Sequence, residues 1–189
     1  MKRFFIGILF AIALMAGISC GPATASEDGA SWIGVYHFEC RDATGKIKWT
    51  ETRKNALANE GQQEMLAVYL QGATAPTGYA LGLSSMTFAK TTGYAGITNE
   101  PSGNGYARQT INRTAIAGGW PTLALDVGDY KATASTVTFT ASGAGFGPVT
   151  SAMLVSATNN KLISYTALST SRTLAAGDTL QVTYAVKLQ

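Results

Sequence analysis

The sequence predicts a mainly β chain: an antiparallel β-sandwich, immunoglobulin-like or jelly-roll-like, with one packed α-helix near residues 59–71. Three observations carry that expectation. Leu180, Val182, Tyr184, Val186 and Leu188 occupy every second position, the period that sets five apolar side chains on one strand face and demands burial of that face. From Tyr79 onward, short pieces rich in Thr, Val, Tyr, Phe and Leu alternate with Gly, Asn and Asp, as pleated strands do when turns join them. The 21 glycines, with 13% charged against 46% hydrophobic residues, suit strands and turns better than long helices. No repeat with a period of roughly 20 to 50 residues is present, which argues against a propeller or solenoid.

In chain order, residues 1–25 have the layout of an export leader. Lys2 and Arg3 precede an apolar run from Phe4 to Ile18, and small residues lead to Ala23-Thr24-Ala25, so cleavage is expected after Ala25. One β-sandwich domain is expected over 26–189. The apolar run falls short of the roughly 20 residues of a membrane-spanning helix, and no later segment is apolar enough to be one, so no stable transmembrane span is expected once the leader is removed. Lipidation at Cys20 is the alternative, although Gly17-Ile18-Ser19 lacks the Leu usual three residues before a lipidated cysteine. Processing at Ala25 leaves Cys40 without an internal disulfide partner, as a small buried thiol in a strand.

Trp32 to Cys40 and Lys46 to Arg53 flank Asp42-Ala43-Thr44-Gly45, a hairpin signal. A helix is expected from Asn59 to Gln71. Asn59 is placed to cap it, Glu60 and Glu64 to complement its dipole, and Gly72 to stop it; Met65, Leu66, Tyr69 and Leu70 form the stripe expected to pack on the sheet. Tyr79, Leu81 and Leu83 then alternate in a strand. The long Gly/Asn/Pro-rich loop from Thr91 to Gly105 is the first candidate contact surface. Further strands are expected at Tyr106–Thr114, Asp129–Ala141, Val149–Ala157, Leu162–Ala167 and Thr179–Leu188, with turns at Asn159-Asn160 and Ala176-Gly177-Asp178. The total is about seven or eight strands.

Chemistry-bearing patterns are sparse. Gly17-Ile18-Ser19-Cys20-Gly21 spells a nucleophile elbow but lies in the leader. Gly143, Gly145 and Gly147 precede Pro148 and a strand, where a dinucleotide site needs a helix, so they read as a bend. Strand alternation puts His37 and Glu39 on one face and Cys40 on the other, without a second pair of metal ligands. Asp126 and Asp129 flank Gly128 as turn residues rather than as glycosidase carboxylates. Arg41, Lys46, Lys48, Arg53 and Lys54, interleaved with Glu39, Asp42 and Glu51, read as a solvated hairpin. Asn112-Arg113-Thr114 matches the N-glycosylation triplet, and Tyr94, Tyr106, Trp120 and Tyr130 are candidates for a sugar-stacking platform. Part of the net charge of +3 belongs to Lys2 and Arg3, so nothing electrostatic points to nucleic acid. No catalytic, cofactor-binding or metal-ligating residue is assigned, and no cofactor is expected.

The segment Gly34-Val35-Tyr36-His37-Phe38-Glu39-Cys40-Arg41-Asp42-Ala43-Thr44-Gly45-Lys46-Ile47-Lys48-Trp49 leads to Asn55-Ala56-Leu57-Ala58-Asn59-Glu60-Gly61 and the helix. With Tyr79-Ala80-Leu81-Gly82-Leu83, Gly105-Tyr106-Ala107-Arg108-Gln109 and the closing run Leu162 to Leu188, it resembles small virion structural proteins of tailed bacteriophages. The resemblance implies a non-enzymatic head-decoration, tail or fibre component, located in the virion, acting by self-association as a homo-oligomer and by docking on phage capsid or tail proteins. The leader departs from that pattern and supports an alternative: a secreted or periplasmic adhesive module that engages a host-surface glycan.

Overall fold

The structure is a computed structural model that describes residues 32–188. The leader, the Ala25 cleavage site, Cys20 and the Gly17–Gly21 motif lie outside the described residues.

Among the described residues eleven strands build two antiparallel sheets. The chain runs β1 (Trp32–Arg41), β2 (Ile47–Lys54), β3 (Ala56–Leu57), α1 (Asn59–Leu70), β4 (Gly78–Ser84), a 3-10 turn (Tyr94–Gly96), β5 (Gln109–Asn112), β6 (Thr122–Asp126), β7 (Asp129–Thr133), β8 (Val137–Thr140), β9 (Phe146–Ser156), β10 (Leu162–Leu174) and β11 (Thr179–Leu188). The first sheet has the order β2-β1-β11-β7-β6, with β8 also on β11; the second has β3-β10-β9-β4-β5. The expected β-sandwich is therefore present.

Alternation in β11 works as the sequence predicts for four of its five apolar residues. Leu180, Val182, Tyr184 and Val186 are buried, but Leu188 is 55% exposed, because its pairing with Trp32 carries it to the end of the sheet. The facing layer supplies Leu81, Leu83, Ile111, Val149, Ala152, Leu154, Ile163 and Leu174 to one core with Tyr36, Phe38 and Phe139. Inside it, the Tyr36 hydroxyl sits 2.9 Å from Ser164 Oγ, and Asn55 Nδ2 donates to the Tyr184 hydroxyl at 3.0 Å, so phenol groups from the first sheet meet polar partners where the sheets touch. Burial, the largest influence, pushes both tyrosine pKa values up.

β9 does not alternate, since six consecutive residues from Ser151 to Ser156 are buried. Ala152 and Leu154 face the main core. Met153 and Val155 face the other way, into a second cluster with Ala58, Phe88 and Leu162, which Met86, Tyr94, Ile97 and Tyr165 cover. A strand buried on both faces reads as a continuous apolar run. The cover comes largely from the loop between β4 and β5.

The expected helix forms over Asn59–Leu70, yet Ala58 is the N-cap and no side chain caps it. Asn59 is already the first helical residue. Three of the four residues of the predicted stripe do not pack: Leu66, Tyr69 and Leu70 are exposed while Met65 is half-buried, and the buried helix residues are Gly61 and Glu64. At Gly61 the helix backbone comes so close to Ile163 that a Cβ would strike the Ile163 carbonyl. The polar anchors set its rotation. Glu60 accepts from the Leu162 and Tyr94 amides at 2.8 Å, and Glu64 accepts from Asn159 Nδ2 at 2.6 Å.

Other strand expectations need correction in extent. Asp129–Ala141 divides into β7 and β8, which pair with different parts of β11, at Ala185–Lys187 and Thr179–Val182. Tyr106–Thr114 contracts to Gln109–Asn112, Leu162–Ala167 extends to Leu174, and β3 and β6 are strands that no expectation named.

Candidate functional site

The described residues contain no group of three His, Cys, Asp or Glu placed to hold a metal. His37 is exposed with Nδ1 2.9 Å from Thr52 Oγ1, Glu39 pairs with Arg41 at 2.7 Å, and Cys40 is buried on the opposite face, where desolvation raises its thiol pKa. Gly143 and Gly145 have positive φ and occupy the bend into β9, whose second peptide, Gly147–Pro148, is cis. Asp126 and Asp129 flank the β6–β7 turn and pair with Lys131 and Lys187 at 3.1 Å each. Asn112 ends β5 with its side chain exposed.

The aromatic candidates do not share a surface. Tyr106 stacks on Phe139 with centroids 5.8 Å apart, Trp120 lies edge-on to Tyr79 and Tyr184, and Tyr94 lies under the Arg108 guanidinium. Only Tyr130 of the four is largely exposed, at 63%. The loop Thr91–Gly105 is likewise drawn inward. Ser84 Oγ donates to the Thr98 carbonyl at 2.8 Å, and Glu100 accepts from the Tyr106 hydroxyl and Arg108 Nε at 2.9 Å each. Beside it Ser85, Asn99, Ser102, Asn104 and Phe146 surround a polar concavity of about 360 Å³. The loop's main role is to cover the outer face of β9.

The basic hairpin divides into two kinds of residue. Arg53 Nε donates to the Ala167 carbonyl at 2.8 Å, and Glu51 accepts from the Ser169 amide at 2.6 Å and pairs with Arg172. Arg172 stacks over Trp49 at 4.6 Å. Lys48 bonds the buried Asp178 carboxylate at 2.5 Å, which raises the lysine pKa. Two members of the charged cluster, Glu51 and Arg53, therefore join the sheets by satisfying backbone groups of β10 at Ser169 and Ala167, while Lys48 ties β2 to the turn between β10 and β11. Lys46, Thr50, Thr52 and Lys54 remain on the outside.

The opposite edge of the first sheet is different. In β6 every residue from Thr122 to Leu125 is exposed, and the β6–β7 hairpin carries Leu123 (71% exposed), Leu125 (64%), Val127 (93%) and Tyr130. The register pairs Leu125 with Tyr130 and Leu123 with Ala132, so these side chains share one face. Ala132 in turn pairs with Val186, a core residue of β11, so this face prolongs the inner surface of the first sheet beyond the cover of the second. Where the overhang meets helix α1, Met65, Val68 and Tyr69 face Trp32, Tyr79, Trp120, Ala132 and Val186 across a groove of about 220 Å³. The Trp32 indole N–H is buried there without an acceptor at hydrogen-bond geometry.

Sequence reasoning missed this edge. Thr122-Leu-Ala-Leu-Asp126 does alternate, and Val127-Gly128 occupies a two-residue turn, but the sequence window is short and valine is a poor marker for that turn.

The most exposed apolar feature among the described residues is thus the β6–β7 edge. A family model described as Podophage GP4 fiber I protein gp80 matches residues 56–188, from β3 to the end of β11. The chain matches no curated protein and no solved structure.

Proposed function

The chain belongs to the podophage GP4 fiber I protein gp80 family, and from that membership we propose that it is a non-enzymatic part of a tailed-phage virion, placed in the tail or a fibre. It works by self-association and by docking on other phage structural proteins, with residues 26–189 as one β-sandwich domain after a leader of 25 residues. The observation that carries the reading is the extent of the family match, which takes in the whole second sheet, the helix, and β6, β7, β8 and β11 of the first sheet. Physical features agree with it: a doubly buried β9, charged clamps at one edge and an apolar overhang at the other suit a rigid body that touches neighbours. Among the described residues no helix is long and apolar enough to cross a membrane.

Mass spectrometry of purified particles, with immunogold labelling, tests the proposal. The expected result is a fixed copy number per particle and label on the tail or its appendages. Label on the capsid shell alone would move the protein to head decoration, and recovery only in the periplasm or medium, free of particles, would overturn the virion reading in favour of an exported module.

A further inference from the structure

We infer that β6 is an interface between copies of this chain: a second copy adds its own β6 antiparallel to the first, uniting two first sheets across a twofold axis. The inference rests on the self-association in the proposed function and names the surface that performs it. Among the described residues β6 pairs only with β7, so its other side is an open edge.

The turn fixes which backbone groups are open. Val127 (φ 50°) and Gly128 (φ 91°) form a two-residue turn of the I′ kind, so Asp126 and Asp129 exchange ladder bonds, as do Ala124 with Lys131 and Thr122 with Thr133. The N–H and C=O groups of Leu123 and Leu125 therefore point away from β7. An antiparallel partner centred on Ala124 engages all of them, since Leu123 then faces the partner's Leu125 and Leu125 the partner's Leu123. The same register gathers Leu123, Leu125 and Tyr130 of both copies on one face.

The charges agree with that register. Asp126 and Asp129 are already neutralised by Lys131 and Lys187 within each copy, and Asp126 meets the partner's Thr122, so no like charges stand opposite. Leu123, Leu125, Val127 and Tyr130 leave on the order of 500 Å² of apolar surface open per copy, and the pairing joins the two patches side by side on one continuous sheet face. A second copy is favoured as occupant because Thr-Leu-Ala-Leu-Asp is close to symmetric about Ala124, and isologous pairing needs that symmetry.

The test uses the full chain with Cys20→Ser, so that buried Cys40 is the remaining native thiol. Light scattering should give a multimer whose mass at least halves in Leu123→Lys/Leu125→Lys, while Leu66→Lys on the exposed helix face leaves it unchanged. At Ala124 the two chains form a non-hydrogen-bonded pair, so Ala124→Cys should oxidise to a covalent dimer, whereas Thr50→Cys at the other edge should not. A wild-type chain that is monomeric at all concentrations would sink the self-association reading itself. A multimer that keeps its mass in the lysine variant and gives no Ala124→Cys dimer would leave self-association standing and overturn this interface.

Discussion

The two edges of the first sheet solve one physical problem in opposite ways. At the β2 edge, Glu51, Arg53 and Lys48 reach across to β10 and Asp178, and Lys and Thr line the outside. Another strand meeting that edge would strip water from ammonium groups without pairing them. At the β6 edge the outward residues are leucine, alanine and valine, and the neighbouring charges are paired on the other face. The contrast teaches that exposure in this protein is selective: the charged side closes the sandwich, and the apolar side stays open.

The largest expected effect falls on the closed edge. Glu51→Ala strands the Ser169 amide and removes the carboxylate from Arg172, and should lower the unfolding free energy by about 2 kcal/mol in urea titrations. A change below half of that would show that the clamp does not hold the edge.

Between the edges lie the tyrosines Tyr36 and Tyr184. Burial raises their pKa values in the folded chain above the unfolded value of about 10, so the native state keeps protons that the unfolded state gives up. Their contribution is fully present below about pH 10 and is lost as pH rises beyond it, at about 1.4 kcal/mol per pH unit for each tyrosine that stays neutral. Denaturant midpoints should be flat with respect to these tyrosines from pH 7 to 9 and fall above 10. Tyr36→Phe should shallow that fall.

At the tip of the open edge, Val127 holds a φ of 50°, which β-branched side chains disfavour. Val127→Asn should raise the unfolding free energy of the dilute chain by about 1 kcal/mol. The smallest expected effect is Leu125→Lys, which should change that free energy by less than about 0.5 kcal/mol. If it unfolds the dilute chain instead, the open edge is part of the core and the contrast fails.

Much of the fold was legible because burial imposes period two. β1, β2 and β11 were readable to within a residue or two, and the helix was placed by Gly72, whose φ of 68° ends it. β9 defeated that reasoning, since its second face is covered by a loop distant in sequence. The helix stripe failed for a related reason: Glu60 and Glu64 rotate α1 so that Gly61 meets Ile163, and hydrogen bonds to Leu162, Tyr94 and Asn159 outweigh apolar spacing. The candidate site was the least legible part. Four aromatic residues looked alike in sequence, yet three are half-buried against the core clusters and only Tyr130 is largely exposed.

By itself the sequence determined the β class, the main core strands, the helix position and the resemblance to phage virion proteins, because each depends on local spacing or on extended stretches of residues. Tertiary structure alone decided which charged residues became clamps, which loop covered β9 and which strand was left at an edge. Those outcomes depend on pairing between segments far apart in the chain. A leucine in β6 and a leucine in β4 have the same local preference, and only the presence or absence of a second sheet above them makes one a core residue and the other an open surface.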